Sequence, residues 1–193
     1  MQAQRSEAEM SAIVVGDGPG GLSAALFLAK NGVEVSVFGQ DKTAMHWAQV
    51  SNYLGIPDIH GSEFQRVARL QASSFGAKLV GARVESLVKK GELYEATLEH
   101  GEQVNARFVI LSEGKSPKLA QQLGLKFDDK DGLHVDINGR TELPGVYAVG
   151  RLVRPTRSQA IISAGDGAAA AIDILSVLKG EPVQDWDAPP EAK

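Results

Sequence analysis

A glycine-rich segment between two predicted strands constrains this chain more than any other feature. Residues 16–21 have the sequence Gly-Asp-Gly-Pro-Gly-Gly. The apolar, β-branched run 11–16 leads into this segment, and the Ala- and Leu-rich stretch 22–32 follows it. The alternating run 33–38 then predicts a second strand. A strand, glycine turn, helix and strand within about 30 residues is the context in which such a pattern predicts dinucleotide binding.

Each glycine has a physical reason to be there. Gly16 permits a sharp turn out of the strand, Gly18 lets the backbone approach a diphosphate, and Gly21 lets the helix pack closely on the strand. The helix that follows presents unpaired amides and the positive end of its dipole to an anion. A glycine turn without a ligand is the alternative, and the surrounding strand–helix–strand unit favours the binding site.

The remaining pattern predicts which dinucleotide-binding fold this is. Helices are predicted at Ser62–Phe75, with Ser62 as N-cap, at Pro117–Leu123 and at Gln159–Leu178; strands are predicted at Lys78–Val88, Leu93–Glu99, Gln103–Asn105, Ala106–Leu111, Leu133–Ile137 and Val146–Val149. An NAD-binding domain would continue to alternate strands and helices. Three antiparallel strands at 78–105, followed by a late strand and a last helix, instead predict an α/β fold: a Rossmann-type FAD-binding domain with a parallel sheet, helices and a three-stranded meander.

Length and composition place this fold in one domain. The 193 residues include 43% hydrophobic and 23% charged residues, which is typical of a globular protein. We expect a single FAD-binding domain over 11–180, with flexible tails at 1–10 and 181–193. The net charge of −4 favours neither nucleic acid nor an anionic membrane as a partner. No apolar run is expected to approach the roughly 20 residues that span a bilayer, and residues 1–10 do not resemble a signal peptide, so a cytoplasmic location is expected.

The chain contains no cysteine, and this excludes several kinds of chemistry. Disulfides, a thiolate nucleophile, iron–sulfur clusters and cysteine zinc sites are all ruled out. The chain cannot pass electrons through a dithiol of its own. Its four histidines include no pair at helical i, i+4 spacing, so no metal site is predicted. No general base or nucleophile stands out, and catalytic residues are therefore left unassigned.

Four segments, in order along the chain, resemble the thioredoxin reductase family of FAD-dependent pyridine nucleotide-disulfide oxidoreductases. They are Ile13–Leu26, similar to the family's FAD signature; Asn52–Pro57, similar to its Asn-Tyr-Pro-Gly-Phe-Pro segment; Leu143–Gly150; and Ser158–Gly167 at the start of the last helix. The resemblance implies FAD as cofactor and a homodimer as the assembly.

The resemblance also implies which residues bind the cofactor. These are Gly16, Gly18, Pro19, Gly20, Gly21, Gln40, Asp41, Asn52, Val84, Gly114, Gly150, Arg151, Gln159 and Ala160. In the family, the residue matching Asn52 lies beside the flavin, and the helix N-terminus at Gln159 and Ala160 faces its N1 and C2-carbonyl edge. That helix end would stabilise a reduced anionic flavin by roughly 0.3–2 kcal/mol. His46 and Trp47 lie in the segment that lines the flavin in relatives.

Two parts of the family's machinery are missing. Its nicotinamide domain is inserted after the segment that corresponds to Leu111–Gly114. Here only about 30 residues separate Gly114 from Pro144, too few for a second domain of about 100 residues. The redox Cys-x-x-Cys of that domain is absent with it. This implies a flavin domain without its usual electron donor and acceptor.

Two single positions also depart from the family. Gly39 stands where a carboxylate binds the ribose hydroxyls, and Asp41 or Gln40 could substitute for it from further along the loop. Arg151 replaces an Asp that holds the ribityl chain. With Arg154 and Arg157 it forms a basic loop. Either this loop is solvated, or Arg151 contacts the FAD diphosphate or an acidic partner.

Three functions are compatible with these features. The first is a redox flavoprotein that exchanges electrons with an external donor and an external acceptor, since the flavin motifs survive without the other parts. The second is a non-catalytic ligand-binding or regulatory module that uses an altered dinucleotide site, as Gly39 and Arg151 suggest. The third is a subunit that completes an active site together with another polypeptide.

Overall fold

A computed structural model describes residues 10–188, so the predicted tail segments 1–9 and 189–193 lie outside the described residues. The helices are α1 (Pro19–Lys30), α2 (Gly61–Ser74), α3 (Lys118–Gln122) and α4 (Ala160–Lys179). The strands are β1 (Ser11–Val15), β2 (Glu34–Phe38), β3 (Gln49–Val50), β4 (Ile59–His60), β5 (Lys78–Val80), β6 (Val84–Lys90), β7 (Leu93–Leu98), β8 (Gln103–Ala106), β9 (Phe108–Leu111), β10 (Phe127–Asp128), β11 (Gly132–Leu133) and β12 (Val146–Ala148).

Five of these strands form a parallel sheet in the order β12-β9-β1-β2-β5. β1 is the central strand and is buried along its whole length. Its last residue, Val15, is in register with Phe38 of β2 and with Leu111 of β9. The carboxyl ends of the three strands therefore meet at one edge of the sheet, where the glycine turn leads into α1.

The two faces of the sheet are covered by different structures. Ala12 and Val14 of β1 belong to the core shared with α1 and α4. Ile13 and Val15 point to the other face and pack with the antiparallel meander β6-β7-β8. A strand buried on both faces is apolar throughout, as the run 11–15 is. The fold is the predicted one: a Rossmann-type FAD-binding domain with helices on one face and a three-stranded meander on the other.

One predicted strand is divided between two sheets. The run Lys78–Val88 was expected to be a single strand of the meander, but its first part is β5, which pairs with β2 in parallel. The chain then crosses over at Gly81 and begins the meander with β6 at Val84. A continuous run of strand-forming residues shows that the backbone is extended and does not show which neighbour it pairs with.

Two further boundaries differ from the prediction. α2 is capped by His60 instead of Ser62, because the His60 side chain accepts a hydrogen bond from the Ser62 amide at 3.3 Å. The strand expected at 133–137 is limited to β11, which pairs with β10. The Asp136 carboxylate accepts hydrogen bonds from the amides of residues 138 and 140, both at 2.9 Å. These bonds turn the chain where a strand would have continued.

The expectation that no apolar run reaches membrane length is wrong for α4. By length and composition alone, this helix could cross a bilayer. Its residues Ala170, Ala171 and Ile174 are fully buried in the core shared with α1 and the sheet. The same length and composition occur in core helices of globular domains, and α4 uses its apolar face in this way.

Residues 181–188 were expected to belong to a flexible tail, and here they contact the domain. Lys30 of α1 forms ion pairs with Asp185 at 2.9 Å and with Asp187 at 2.5 Å. The Val183 amide donates to the Ser176 hydroxyl at 3.0 Å, and the Val183 side chain packs on the helix-side core. This segment lies along the outside of α1 and α4.

Candidate dinucleotide-binding site

A cleft of about 320 Å³ opens above the glycine turn, at the carboxyl edge of the parallel sheet. Its volume is within the range of small-molecule sites, and the position is the usual ligand site of such sheets. The lining residues are Gly16, Asp17, Gly18, Pro19, Gly20, Lys42, Thr43, Ala44, Ser112, Glu113, Gly114, Lys115, Arg151 and Ser163.

Gly16 and Gly21 have the conformational roles predicted from the sequence. Gly16 has a φ of 101°, and a Cβ there would lie 2.2 Å from the Ser112 carbonyl oxygen. A Cβ on Gly21 would lie 2.0 Å from the Gly16 carbonyl oxygen. Neither position accepts a side chain, because the obstacle in both cases is backbone.

Gly18 differs from these two glycines because it has room. It is the N-cap of α1 with a φ of −75°, and the nearest atom to a Cβ there is the Thr43 hydroxyl at 3.6 Å. A side chain at this position would not strain the backbone but would enter the cleft. The first-turn amides of α1 have no partner within the helix, and that turn contains no acidic residue. This end of α1 can therefore receive an anion.

Asn52 and Gln159, 107 residues apart, are brought together as the predicted site requires. The Asn52 side-chain amide donates to the Gln159 Oε1 at 3.0 Å. Gln159 is the N-cap of α4 and its side chain does not cap the helix. The first amides of α4, beginning at Ala160, therefore lie beside a polar side-chain pair at a helix N-terminus.

The other predicted residues are divided between the cleft and its surroundings. Gly114 and Arg151 line the cleft with the glycine turn. Gly150 is buried, and its amide donates to Asp166 at 3.3 Å. Val84 is 4% exposed in the core between the meander and the sheet, so its side chain is not presented to the cleft.

The two proposed substitutes for the ribose carboxylate have other partners. Gln40 donates to Glu99 at 3.1 Å and accepts from Lys42 at 3.2 Å. The Asp41 carboxylate lies 3.1 Å from the His46 Nε2 atom. Both residues are exposed.

The three arginines of the predicted basic loop have three different environments. Arg151 lines the cleft together with Lys42 and Lys115. Arg154 is bound to Asp166 at 3.1 Å, and Arg157 is exposed. Within residues 10–188, neither Arg151 nor Lys115 has an ion-pair partner, so their charges are available to an anion in the cleft.

Glu113 is a cleft residue that sequence reasoning missed. Its carboxylate accepts hydrogen bonds from the first amides of α3, Leu119 at 2.8 Å and Ala120 at 3.1 Å. Burial raises the pKa of Glu113 more than these bonds lower it. The signal available in the sequence was an acidic residue shortly before a short predicted helix.

Asp17 and its partners were also missed. The Asp17 side chain is 7% exposed and forms an ion pair with Arg69 of α2. One turn earlier in the same helix, the fully buried Gln65 donates to the Asp17 carbonyl oxygen at 2.5 Å. The i, i+4 spacing of Gln65 and Arg69 places both on one helix face, which was the available signal.

The residues present fit a dinucleotide diphosphate. A side-chain-free N-cap, the amide end of α1 and three cationic side chains converge on one cleft, and a diphosphate carries the charge that these groups would neutralise. No group of three or more metal-binding side chains converges anywhere in the described range 10–188.

Comparison with known proteins gives the same assignment. Residues 58–167 match the pyridine nucleotide-disulphide oxidoreductase family, and residues 11–57 match the FAD binding domain family. A thioredoxin reductase of Streptomyces coelicolor is 34% identical over 122 residues, which are 61% of this chain and 37% of that protein. A dihydrolipoyl dehydrogenase of Haloferax volcanii is 30% identical over 180 residues, 89% of this chain and 34% of that protein. The chain spans about a third of the length of these two relatives.

Solved structures share the fold at lower sequence identity. A thioredoxin reductase from Gloeobacter violaceus superimposes with a TM-score of 0.82 at 17% identity, over 93% of this chain and 100% of that chain. The first family match covers more than half of the sequence, and the FAD binding domain match includes the glycine turn. The chain therefore belongs to the pyridine nucleotide-disulphide oxidoreductase family, and its cofactor is FAD.

Proposed function

We propose that this protein is a flavoprotein that exchanges electrons with a separate donor and a separate acceptor. The observation that carries the proposal is the cleft, in which the amide end of α1 and the charges of Arg151 and Lys115 face one space beside the glycine turn. Such a cleft suits the diphosphate of FAD. The Asn52–Gln159 pair at the N-terminus of α4 supports a second, flavin-facing end of the site.

The contents of this segment of chain support a separate electron donor and a separate acceptor. Residues 115–143 hold only α3, the β10–β11 hairpin and connecting loops, with no room for a nicotinamide-binding domain. The chain has no cysteine, so it has no dithiol to receive electrons. Relatives include a ferredoxin–NADP reductase of Ignicoccus hospitalis as well as thioredoxin reductases, so different redox partners occur on related chains.

The protein's own contribution is binding and orientation. Bound FAD would supply the redox chemistry, since the isoalloxazine ring accepts and returns electrons without a protein nucleophile. Asn52 and the first amides of α4 would hold the polar edge of the flavin and present partial positive charge to it. The cationic side chains of the cleft would hold the diphosphate.

The first experiment measures FAD binding to the purified protein and to the Gly18→Val variant, by flavin absorption and fluorescence. The variant should fold normally and lose most of its FAD binding, because the added side chain enters the cleft without straining the backbone. Gly81→Val is the matched control, since a Cβ at Gly81 meets nothing within 4 Å and Gly81 lies outside the cleft. Equal FAD binding by wild type and Gly18→Val would contradict the proposed site.

The second experiment tests the separate donor. Under anaerobic conditions, NADPH or NADH should reduce the FAD-loaded protein slowly or not at all, whereas a small chemical reductant should reduce it fully. Rapid reduction by NADPH would show that the chain binds nicotinamide itself, and the separate-donor part of the proposal would be wrong.

A non-catalytic ligand-binding module is the second candidate, and the replacement of the ribose carboxylate by Gly39 favours it. Bound FAD that no reductant reaches would support this candidate. We further propose a cytoplasmic homodimer on the family resemblance. Sedimentation of the purified protein at several concentrations tests the dimer.

A further inference from the structure

We propose that FAD is an exchangeable cofactor of this protein, because Asp17 and Arg69 exclude a ribose-binding carboxylate from the end of β2. This inference rests on the proposed function. It concerns how tightly the adenosine end of the cofactor is held, and therefore whether FAD stays on the protein or exchanges with solution.

Asp17 is fixed in place by three contacts from two directions. Its Oδ2 atom accepts a hydrogen bond from the Asp41 amide at 3.0 Å and forms the ion pair with Arg69. Its carbonyl oxygen accepts the bond from the buried Gln65 side chain. The side chain is therefore held by the chain after β2 and by α2, and it cannot swing aside easily.

This fixed carboxylate occupies the space in which a side chain at position 39 would begin. A Cβ on Gly39 would lie 2.3 Å from the Asp17 Cγ and 2.4 Å from its Oδ1. The Asp17 Cβ is also too close, at 2.7 Å. The structure therefore accepts a side chain at position 17 or a side chain at position 39, but not both. Gly39 therefore lacks a side chain for a steric reason.

Asp17 cannot take over the ribose contact from its own position. Its carboxylate lies where the first atom of a longer acidic side chain would be, so it ends well short of the point that such a side chain would reach. It is also 7% exposed and already neutralised by Arg69. Asp41 and Gln40, the alternatives further along, are bonded to His46 and Glu99.

Unlike the adenosine end, the diphosphate end of the cleft has charged groups that are available to bind the cofactor. The amide end of α1 meets the charges of Arg151, Lys115 and Lys42 there, and Arg151 and Lys115 have no ion-pair partner among residues 10–188. Charge attraction at a partly exposed site weakens as salt is added. Most of the affinity for FAD should therefore come from the diphosphate and should fall with ionic strength.

The first test measures FAD retention and affinity in wild-type protein. Dialysis in high salt should strip FAD from the protein, and added FAD should rebind with a dissociation constant that rises with salt. Arg151→Gln should weaken binding severalfold and flatten the salt dependence. Arg157→Gln is the matched control from the same loop. It should leave the affinity for FAD and its salt dependence unchanged, because Arg157 is exposed outside the cleft.

The second test exchanges the two residues. The double variant Asp17→Gly/Gly39→Glu removes the obstacle, including the Asp17 Cβ that would lie 2.7 Å from the new Cβ, and supplies a carboxylate from the end of β2. It should bind FAD about tenfold more tightly than wild type, the gain expected from a charged hydrogen bond. Gly39→Glu alone should lower the melting temperature, because the new side chain collides with Asp17. Asp17→Gly alone should not tighten binding, because it adds no carboxylate at position 39.

The outcomes separate this inference from the proposed function. If wild-type protein keeps one FAD per chain through dialysis in high salt, the inference is wrong and the proposed function stands. If neither wild type nor the double variant takes up FAD at any concentration, the proposed function itself fails. A double variant that folds and binds FAD no better than wild type would also overturn the inference.

Discussion

Glu113 combines two opposing influences at a single residue. Burial disfavours its charged form and raises its pKa, while the Leu119 and Ala120 amides favour the charge and lower the pKa by a smaller amount. The folded protein therefore holds the Glu113 proton to higher pH than the unfolded chain does. By linkage, the free energy of unfolding that depends on this residue falls as pH rises from the ordinary glutamate pKa to the raised one.

Glu113→Gln isolates this effect. The contributions of the other titrating groups cancel when the free energy of unfolding of the variant is subtracted from that of wild type. Relative to the variant, wild type should be more stable at about pH 3 than at about pH 7, because these values lie below and above the ordinary glutamate range. Denaturant unfolding of both proteins at the two pH values measures this. The difference in free energy of unfolding between wild type and variant could instead stay constant with pH, or shift in favour of wild type as the pH rises. Either result would show that Glu113 is not held protonated by burial.

Single residues also show where sequence reasoning ends. The roles of Gly16 and Gly21 follow from local backbone geometry, and a local motif revealed them. Asn52 was identified only through the family resemblance, and its contact with Gln159 spans most of the fold. Asp17 was part of the motif from the start, but its buried carboxylate depends on Arg69, 52 residues away. The glycine segment contains no pattern from which Arg69 could be predicted as the partner of Asp17.

At the scale of elements, the crossing of α1 and α4 depends on glycines in both helices. A Cβ on Gly167 would lie 2.1 Å from the Gly20 carbonyl oxygen and 3.0 Å from the Ala24 amide nitrogen. On the α1 side of the crossing, a Cβ on Gly20 would lie 3.1 Å from the carbonyl oxygen of Ser163 in α4. The two backbones therefore touch, and this contact sets the position of the α4 N-terminus relative to the glycine turn.

Gly167→Ala should destabilise the protein by about 1–3 kcal/mol or more, because overpacking here forces two backbones apart. Gly165→Ala is a control in the same helix, exposed and with nothing within 4 Å of an added Cβ. It should stabilise the helix by about 0.5–1 kcal/mol through helix propensity. Thermal unfolding of the two variants tests the pair, and similar melting temperatures for both would contradict a close crossing at Gly167.

Element types were predictable from the sequence, but some pairings were not. β1, α1 and β2 are joined by short connections, so the local pattern determined them. The meander was also visible as a change to alternating periodicity. The assignment of β5 to the parallel sheet was not visible, because Lys78 pairs with Ser36 of a strand that precedes α2. Strand pairing over such a distance depends on the packed fold rather than on the propensity of residues 78–88.

At the scale of the whole molecule, the sheet divides the protein into two cores that meet at β1. The helix-side core extends beyond α4, because Val183 packs on it. Asp185 is 7% exposed in its ion pair with Lys30, so the segment 181–188 continues the packed structure past the end predicted at residue 180. A partly buried ion pair next to a packed apolar residue is expected to contribute more than an exposed one.

A chain that ends at Gly180 should therefore melt at a lower temperature than a chain that ends at Ala188. The shorter chain loses the Val183 packing and both carboxylate partners of Lys30, and each kcal/mol lost should lower the melting temperature by about 2–4 °C in a domain of this size. Val183→Ala in the longer chain should reproduce part of the loss, because it removes the packing and keeps the ion pairs. If the two shortened chains melt together, the folded domain ends at residue 180 and the contacts of residues 181–188 contribute nothing to its stability.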